Sequence, residues 1–171
     1  MTFTTICYAI GDYDNARLLV ASTANGVCAV LPGDRDALLE QELPARFPGY
    51  SFATETPSAH PFWQSVVDTL KGEGAGEPAL EFLGTAFQRR VWQALRRIPA
   101  GTTTSYAALA RTLEMPRAAR AVAQACARNP LAVLVPCHRV VRSDGGLSGY
   151  RWGVQRKRSL LEREGCAVAT A

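Results

Sequence analysis

The residues with the clearest capacity for chemistry are a cysteine and a histidine that are adjacent in the chain, Cys137 and His138. A cysteine becomes a nucleophile when its thiol loses the proton, and a neighbouring imidazole can accept that proton. A carboxylate would then hold the imidazole in position, and the residues downstream offer Asp144, Glu162 and Glu164. The dipeptide alone is equally compatible with a buried thiol beside a structural histidine, so the surrounding sequence has to distinguish the two.

The remaining cysteines form no pattern of their own. The chain has five cysteines and two histidines, without a Cys-x-x-Cys pair. An odd number at irregular spacing argues against a disulfide framework, and a four-ligand zinc site would require distant cysteines to converge. Cys7, Cys28 and Cys126 lie in apolar stretches, which favours small buried side chains. We expect no metal and no other cofactor, and the sequence indicates no role for His60 or Cys166.

Charge is divided unevenly along the chain. Residues 1–84 contain four Lys and Arg against eleven Asp and Glu, a net charge of −7, whereas residues 85–171 contain fifteen against four, a net charge of +11. Fourteen of those fifteen basic residues are arginine, whose guanidinium forms paired hydrogen bonds with phosphate. The split predicts an acidic half and a half that faces a polyanion, with a merely solvated basic surface as the alternative.

The sequence carries no signal for a membrane or for secretion. No apolar stretch is long enough to cross a bilayer, and the first ten residues lack a basic segment followed by an apolar core. Hydrophobic residues make up 47% of the chain and charged residues 20%, which is typical of a globular protein. We therefore expect a monomeric cytoplasmic protein that does not contact membranes.

The first half has the pattern of a small α/β domain. Three β-favouring runs, the last two of them separated by the strong hairpin signal Asn25-Gly26, precede two segments with apolar residues at helical spacing. The runs cover residues 4–10, 17–22 and 26–31, and the helical segments cover residues 34–46 and 61–71. The glycine-rich residues 71–78 are the best linker candidate. We predict an N-terminal α/β domain with its linker over residues 1–78 and a second domain over residues 79–171.

The second half is mainly helical by the same criteria. Thr85-x-x-Gln88 is a capping box that opens a helix. The predicted helices cover residues 85–98, 105–112, 116–128 and 154–164, with an apolar strand at 133–135 and a turn or hairpin at 142–149. The two middle helices are separated by a tight turn, which is the pattern of a helix-turn-helix followed by a wing, although any two packed helices can imitate it.

The helix predicted over residues 116–128 combines small and basic side chains. The small residues are Ala118, Ala119, Ala123 and Ala127, and the basic residues are Arg117, Arg120 and Arg128. Small side chains let a helix approach a DNA groove closely, while arginines bind phosphates or enter the base stack. The alternative is an ordinary alanine-rich helix with high intrinsic propensity.

Four segments resemble one family, the O6-alkylguanine-DNA alkyltransferases. The run PCHRV at Pro136–Val140 resembles the family signature, and it is accompanied, in order, by GTAFQRRVWQALRRIPAGTTTSYAALA from Gly84, RAARAVAQACARNP from Arg117 and GLSGYRWG from Gly146. The GYRWG run is similar to the alkyltransferase half of the bacterial adaptive-response regulators. Their additional zinc module with four cysteines has no counterpart here, so we expect either a stand-alone protein or that half.

The resemblance implies a role for each residue around the cysteine. Cys137 would be the alkyl acceptor, His138 would draw its proton through a water, and Glu164 would orient His138, because it matches the family's Glu-Gly pair. Asn129 would support the turn between the recognition helix and the cysteine. Tyr106 would donate to the target base or crowd its phosphate.

The resemblance also implies which residues bind DNA and the flipped base. Arg120 would fill the gap that an extracted base leaves in the duplex. The other DNA-binding residues would be Thr104, Ser105, Arg117, Ala119, Ala123 and Arg128. The pocket for the flipped guanine would be formed by Val135, Pro136, Gly149, Tyr150 and Arg151. The family's fold implies an RNase H-like small sheet with helices, followed by a mainly α domain with a winged helix-turn-helix.

The implied function is direct reversal of DNA damage. A helix-turn-helix in the minor groove would flip O6-alkylguanine, and by extension O4-alkylthymine, out of double-stranded DNA, since the alkyl carbon is inaccessible inside the duplex. Transfer to Cys137 would give a stable thioether, so each molecule would react once. The alternatives are an alkyltransferase-like sensor, which would lack the acceptor cysteine, a cysteine hydrolase that turns over, and a plain winged-helix regulator.

Overall fold

The computed structural model describes residues 4–74, 76–147 and 149–168. The chain divides into two compact units. The first contains the described residues up to Leu83 together with the short segment Pro130–Leu134. The second contains Gly84–Asn129 and the described residues from Val135 onward.

The first unit is built on a four-stranded sheet in the order β3-β2-β1-β4. Its strands are β1 (Thr5–Tyr13), β2 (Ala16–Thr23), β3 (Gly26–Gly33) and β4 (Ser51–Glu55). The first three strands are antiparallel, whereas β4 lies parallel to β1. The two turn residues between β1 and β2, Asp14 and Asn15, have φ angles of 49° and 58°, the left-handed conformation that a tight hairpin requires and that Asp and Asn tolerate.

Two helices accompany this sheet, α1 (Asp36–Arg46) and α2 (Trp63–Lys71). The helix α1 packs on β2 and β3 and buries Leu39 and Leu43. The last six residues of β2 are buried in succession, so both faces of this central strand are covered, which explains its unbroken apolar sequence. Both helices confirm the sequence prediction, while β4 was not predicted because its sequence SFATE lacks a clear apolar alternation.

The predicted strand at residues 133–135 is wrong. The Val30 N–H donates to the Pro130 carbonyl at 2.8 Å, and the Ala132 N–H donates to the Val30 carbonyl at 3.1 Å. Leu131 is thereby bridged to β3 and fully buried. The chain then turns at Val133, whose φ is 67°. A β-branched residue in that conformation is unusual, and β propensity is overridden here by the contact with β3 and the turn that follows it.

The second unit contains four helices and a minimal sheet. The helices are α3 (Ala86–Leu95), α4 (Tyr106–Thr112), α5 (Ala119–Ala127) and α6 (Val154–Arg163). The helix α3 opens with the predicted capping box: Gln88 N–H donates to Thr85 Oγ1, and Thr85 N–H donates to Gln88 Oε1. Two-residue strands, β5 (Thr104–Ser105) and β6 (Val140–Val141), pair in parallel, and a 3₁₀ turn at Cys137–Arg139 leads into β6.

The helices α4 and α5 pack against each other across a short connection, and their identity as a helix-turn-helix stays a prediction. The helix α5 begins three residues later than predicted, because Ala118 N–H donates to the Met115 carbonyl at 2.8 Å and closes a turn around Pro116. Of the turn or hairpin predicted at residues 142–149, the structure shows a turn closed between Arg142 and Gly146, with no strand beyond it among the described residues. Ser148 of this segment lies outside the described residues.

A search of the described residues finds no helix with both the length and the apolar character needed to span a membrane.

His60 ties several elements of the first unit together. Phe62 N–H donates to its Nδ1 at 3.3 Å, so the proton of the neutral ring lies on Nε2, which is 3.2 Å from Ser22 Oγ and 3.3 Å from the Cys7 carbonyl. Because Nε2 already carries a proton, it cannot accept the hydroxyl proton of Ser22. This excludes a nucleophilic serine that His60 activates as a base. Burial lowers the pKa of His60, and only 4% of the residue is exposed.

This burial predicts that folding stability falls in mild acid. The folded pKa of His60 is depressed, so its contribution is complete above the ordinary value, about 6.5, and is lost as pH falls toward the folded pKa. Urea unfolding between pH 8 and pH 5 should show a His60-dependent loss of stability toward the acid end, which His60→Gln should remove. Parallel pH profiles for the two proteins would contradict the role of this ring.

Candidate active site

Cys137 opens the 3₁₀ turn and lies in the interior of the second unit, with 5% of the residue exposed. Its N–H donates to the Val135 carbonyl at 2.8 Å. The side-chain amide of Asn129, which is fully buried two residues after α5, donates to the Val135 carbonyl at 2.8 Å and to Cys137 Sγ at 3.3 Å. Asn129 thus connects the chain just beyond α5 to the cysteine.

His138 and Glu164 are in direct contact, with Nε2 and Oε1 2.8 Å apart. The Glu164 carboxylate also accepts two hydrogen bonds from Arg139, at 3.0 and 2.8 Å. Burial alone would raise the pKa of Glu164, but the hydrogen bonds from Arg139 and His138 lower it below its usual range. The carboxylate is therefore ionised and cannot donate, so Nε2 of His138 must be the donor. In the neutral ring this leaves Nδ1 as a proton acceptor, and Nδ1 is buried with no hydrogen-bond partner among the described residues.

The sequence offered Asp144, Glu162 and Glu164 as candidates for the carboxylate that holds the imidazole. In the structure, Glu164 is the one that contacts His138. Glu164 is the C-cap residue that follows α6 and precedes Gly165, which has a φ of 77°. The Gly165 N–H donates to the Glu162 carbonyl, and the Cys166 N–H donates to the Leu161 carbonyl. These hydrogen bonds end the helix and fix the direction of Glu164.

Electrostatics keep both members of the Cys-His pair uncharged. Burial raises the pKa of the Cys137 thiol, and the Asn129 hydrogen bond and the Lys157 charge only partly oppose it. Burial lowers the pKa of His138, and Glu164 only partly opposes it. At neutral pH the site therefore holds a thiol and a neutral imidazole, so the cysteine needs a base before it can act as a nucleophile.

Lys157 is a charged residue of this site that the sequence analysis missed. It is fully buried in α6, and its Nζ donates to the Val140 carbonyl at 2.6 Å and lies 6.0 Å from the centre of the Tyr150 ring. Burial lowers the pKa of Lys157, while the thiol groups of Cys137 and Cys126 favour its charge. The signal was present in the sequence, since Lys157 is the one lysine among the fifteen basic residues of the second half.

The predicted pocket residues lie around the same centre. Val135, Pro136 and Tyr150 are buried, whereas Gly149 and Arg151 are exposed. The space in front of Gly149 is open as far as the hydroxyl of Tyr106, because a Cβ built on Gly149 would lie 4.0 Å from it. Burial raises the pKa of Tyr106 to about 12, so its phenol is a hydrogen-bond donor at neutral pH. Trp152 stacks edge-on against Tyr150 at 5.3 Å, a contact that was not predicted.

The predicted DNA-binding residues are distributed over α5 and its flanks. Arg117, Arg120 and Arg128 are exposed, and Ala119 and Ala123 are partly exposed. The opposite face of α5 buries Val122, Ala125 and Cys126. Ser105, by contrast, caps α4, since its Oγ accepts the Ala108 N–H at 3.1 Å, and Thr104 lies beside it in β5. Arg120, Ala119 and Ala123 are therefore accessible on α5, while Arg117 precedes the helix and Arg128 follows it.

A comparison with protein families matches residues 86–166 to 6-O-methylguanine DNA methyltransferase, DNA binding domain. The chain is 50% identical over 161 residues to the bifunctional transcriptional activator/DNA repair enzyme Ada of Escherichia coli, covering 92% of this chain and 45% of Ada. The chain therefore spans less than half the length of that relative.

Two further comparisons cover most of both partners. A methylated-DNA–protein-cysteine methyltransferase of Mycobacterium bovis is 45% identical over 122 residues, which are 68% of this chain and 72% of the relative. The crystal structure of Mycobacterium tuberculosis OGT in complex with DNA superposes with a TM-score of 0.73 at 34% identity, covering 92% of each chain. With this similarity in both sequence and structure, the chain belongs to the 6-O-methylguanine DNA methyltransferase family.

Proposed function

We propose that this protein reverses alkylation damage in DNA by transferring the alkyl group of O6-alkylguanine, and also of O4-alkylthymine, to Cys137. The observation that carries the proposal is the geometry around one buried thiol. Its neighbour His138 has an unoccupied proton acceptor at Nδ1 and donates through Nε2 to the ionised Glu164. Relatives named methylated-DNA–protein-cysteine methyltransferase support the same chemistry.

The proposed transfer begins with removal of the thiol proton. His138 takes it at Nδ1, through a bridging water, and Glu164 stabilises the imidazolium that forms. The thiolate attacks the alkyl carbon, so a sulfur–carbon bond forms as the bond from carbon to guanine O6 breaks. The departing guanine takes up a proton, and the proposed donor of that proton is the Tyr106 phenol. The product at Cys137 is a thioether, from which the alkyl group does not leave at the pH of the cell. Each molecule therefore reacts once.

The proposed substrate is double-stranded DNA, held by α5 in the minor groove. Arg117, Arg120 and Arg128 supply positive charge on the exposed side of that helix, while Ala119 and Ala123 allow close approach to the groove. Thr104 and Ser105, which lie just before α4, would contact the DNA backbone. Arg120 would occupy the gap in the base stack, and Val135, Pro136, Gly149, Tyr150 and Arg151 would enclose the extruded guanine.

We also infer the finer architecture that this function uses. The strand order β3-β2-β1-β4, with two antiparallel pairs and one parallel pair, supports an RNase H-like sheet for the accessory domain at residues 1–78. The pair α4 and α5 supports a helix-turn-helix in the domain at residues 79–171, with residues 142–153 in the place of a wing. A monomeric state and a cytoplasmic location stay predictions.

A cysteine hydrolase is the alternative from another class, because a Cys-His-Glu arrangement also serves acyl transfer. A hydrolase returns its cysteine to the starting state and has no use for the arginines on α5. The number of turnovers therefore separates the two proposals.

The first prediction concerns stoichiometry. Incubation with DNA that carries radiolabelled O6-methylguanine should place about one methyl group on each protein molecule, on Cys137, and then stop. Cys137→Ala should abolish transfer while binding to DNA persists. Cys28→Ala, which removes another buried thiol, is the matched control and should transfer normally. Label that continues to be released as methanol, or that is found on a different residue, would refute the proposal.

The second prediction concerns Arg120. If this side chain fills the gap left by the flipped base, Arg120→Ala should slow transfer from duplex DNA by roughly tenfold or more, because unstacking costs a few kcal/mol. Transfer from a single-stranded methylated oligonucleotide needs no flipping and should change much less. Arg89→Ala, an exposed arginine on α3, controls for the loss of one charge. Equal slowing on both substrates would remove the flipping role.

A further inference from the structure

The residue that follows the Cys-His pair points away from the cysteine and holds two other elements. Arg139 is the last residue of the 3₁₀ turn, with 16% of its side chain exposed. Its Nε and Nη2 donate to the two oxygens of Glu164 at 3.0 and 2.8 Å, and its Nη1 donates to the Ile98 carbonyl at 2.5 Å. One guanidinium therefore links the turn that carries the nucleophile to the end of α6 and to the chain just beyond α3.

Glu164 occupies a position where an ionised carboxylate is poorly stabilised without this arginine. It ends α6, where the helix dipole presents its negative end, and only 16% of its side chain is exposed. In the described part of the chain, its carboxylate has two side-chain partners, Arg139 and His138. Arg139 accounts for two of the three hydrogen bonds that the carboxylate accepts, in the paired geometry that suits a guanidinium.

We propose that Arg139 is a positioning residue of the transfer reaction: it holds Glu164 ionised and in place, so that the carboxylate accepts the Nε2 proton of His138 and Nδ1 stays free for the proton of Cys137. The inference rests on the proposed function. It assigns Arg139 no contact with the substrate. The arginine acts through Glu164 and the histidine ring.

The same arrangement keeps the base from being protonated too early. The charged groups that act on the His138 ring are Glu164 and Lys157 of α6 and Arg139 of its own turn, and the reacting partner is Cys137. Just beyond the end of α3, the Ile98 carbonyl accepts a hydrogen bond from Arg139. Glu164 favours the imidazolium, whereas Arg139 and Lys157 oppose it. Without Arg139 only burial and Lys157 would oppose the effect of Glu164 on the ring, and the pKa of His138 would rise.

The third prediction is therefore a displaced pH profile. Only the neutral ring can accept the thiol proton, so the transfer rate rises with pH through the pKa of His138. In Arg139→Gln the acid limb should move to higher pH, with a loss of roughly tenfold near pH 6 and only about twofold to threefold near pH 8.5. Arg139→Lys keeps the charge without the paired hydrogen bonds and should lie between the two. Rates are measured on a methylated single-stranded oligonucleotide, so that duplex binding does not enter.

Two controls separate this role from a merely structural one. In a Glu164→Gln background the carboxylate is gone, so adding Arg139→Gln should displace the profile much less than it does when Glu164 is present, because only the direct repulsion between Arg139 and the ring is then lost. Affinity for unmethylated duplex DNA should be unchanged in Arg139→Gln. A rate lowered by the same factor at every pH, with an unmoved acid limb, would overturn the proposal, as would an equal displacement in the absence of Glu164.

The unaltered protein provides a test that does not depend on a variant keeping its fold. Titration of the His138 ring by NMR should give a pKa below the ordinary value of about 6.5, although an ionised carboxylate lies 2.8 Å away. Burial is the main cause of the lowered pKa, so a pKa at or above that value would show that the ring is not kept neutral at rest and would overturn the inference. If the unaltered protein transferred no methyl group at all, the proposed function would fail first, independently of Arg139.

Discussion

Burial makes Cys137 a poor nucleophile at rest, because the surroundings that shelter the thiol also raise its pKa. The other groups of the site can be understood from this constraint. Asn129 donates to the sulfur, Lys157 places a positive charge in the same interior, and His138 offers an acceptor for the proton. For the proposed single transfer such protection would be useful, since an exposed thiolate would be open to oxidation or to other electrophiles.

His138, the proton acceptor, must stay neutral although it lies next to the carboxylate of Glu164. Burial and the neighbouring cations lower the pKa of His138, while Glu164 raises it and fixes the tautomer. Arg139 lies between these demands, since it stabilises the charge of Glu164 and moderates its effect on the ring. The histidine is therefore oriented by a carboxylate without being held as an imidazolium.

Asn129 connects this chemistry to the proposed DNA surface. Its amide contacts the Val135 carbonyl and Cys137 Sγ, and it lies two residues beyond the end of α5. The buried side chain of Asn129 thus links the end of the helix that carries Arg120 to the nucleophile. The indole of Trp92, whose N–H donates to the Ala125 carbonyl at 2.9 Å, holds the other side of the same helix.

Local sequence determined much of this protein. The hairpins, the capping box of α3, the paired helices α4 and α5, the charge split and the Cys-His dipeptide all follow from neighbouring residues, whose effects on the backbone are short-ranged. Tertiary structure decided the rest. It selected Glu164 among three carboxylates, placed Arg139 on it from 25 residues away, buried Lys157 beside the thiol, and turned residues 133–135 from a predicted strand into a bend against β3. Each of these outcomes depends on contacts between distant segments, and such contacts override local propensity because they contribute burial and hydrogen bonds that no neighbouring residue can supply.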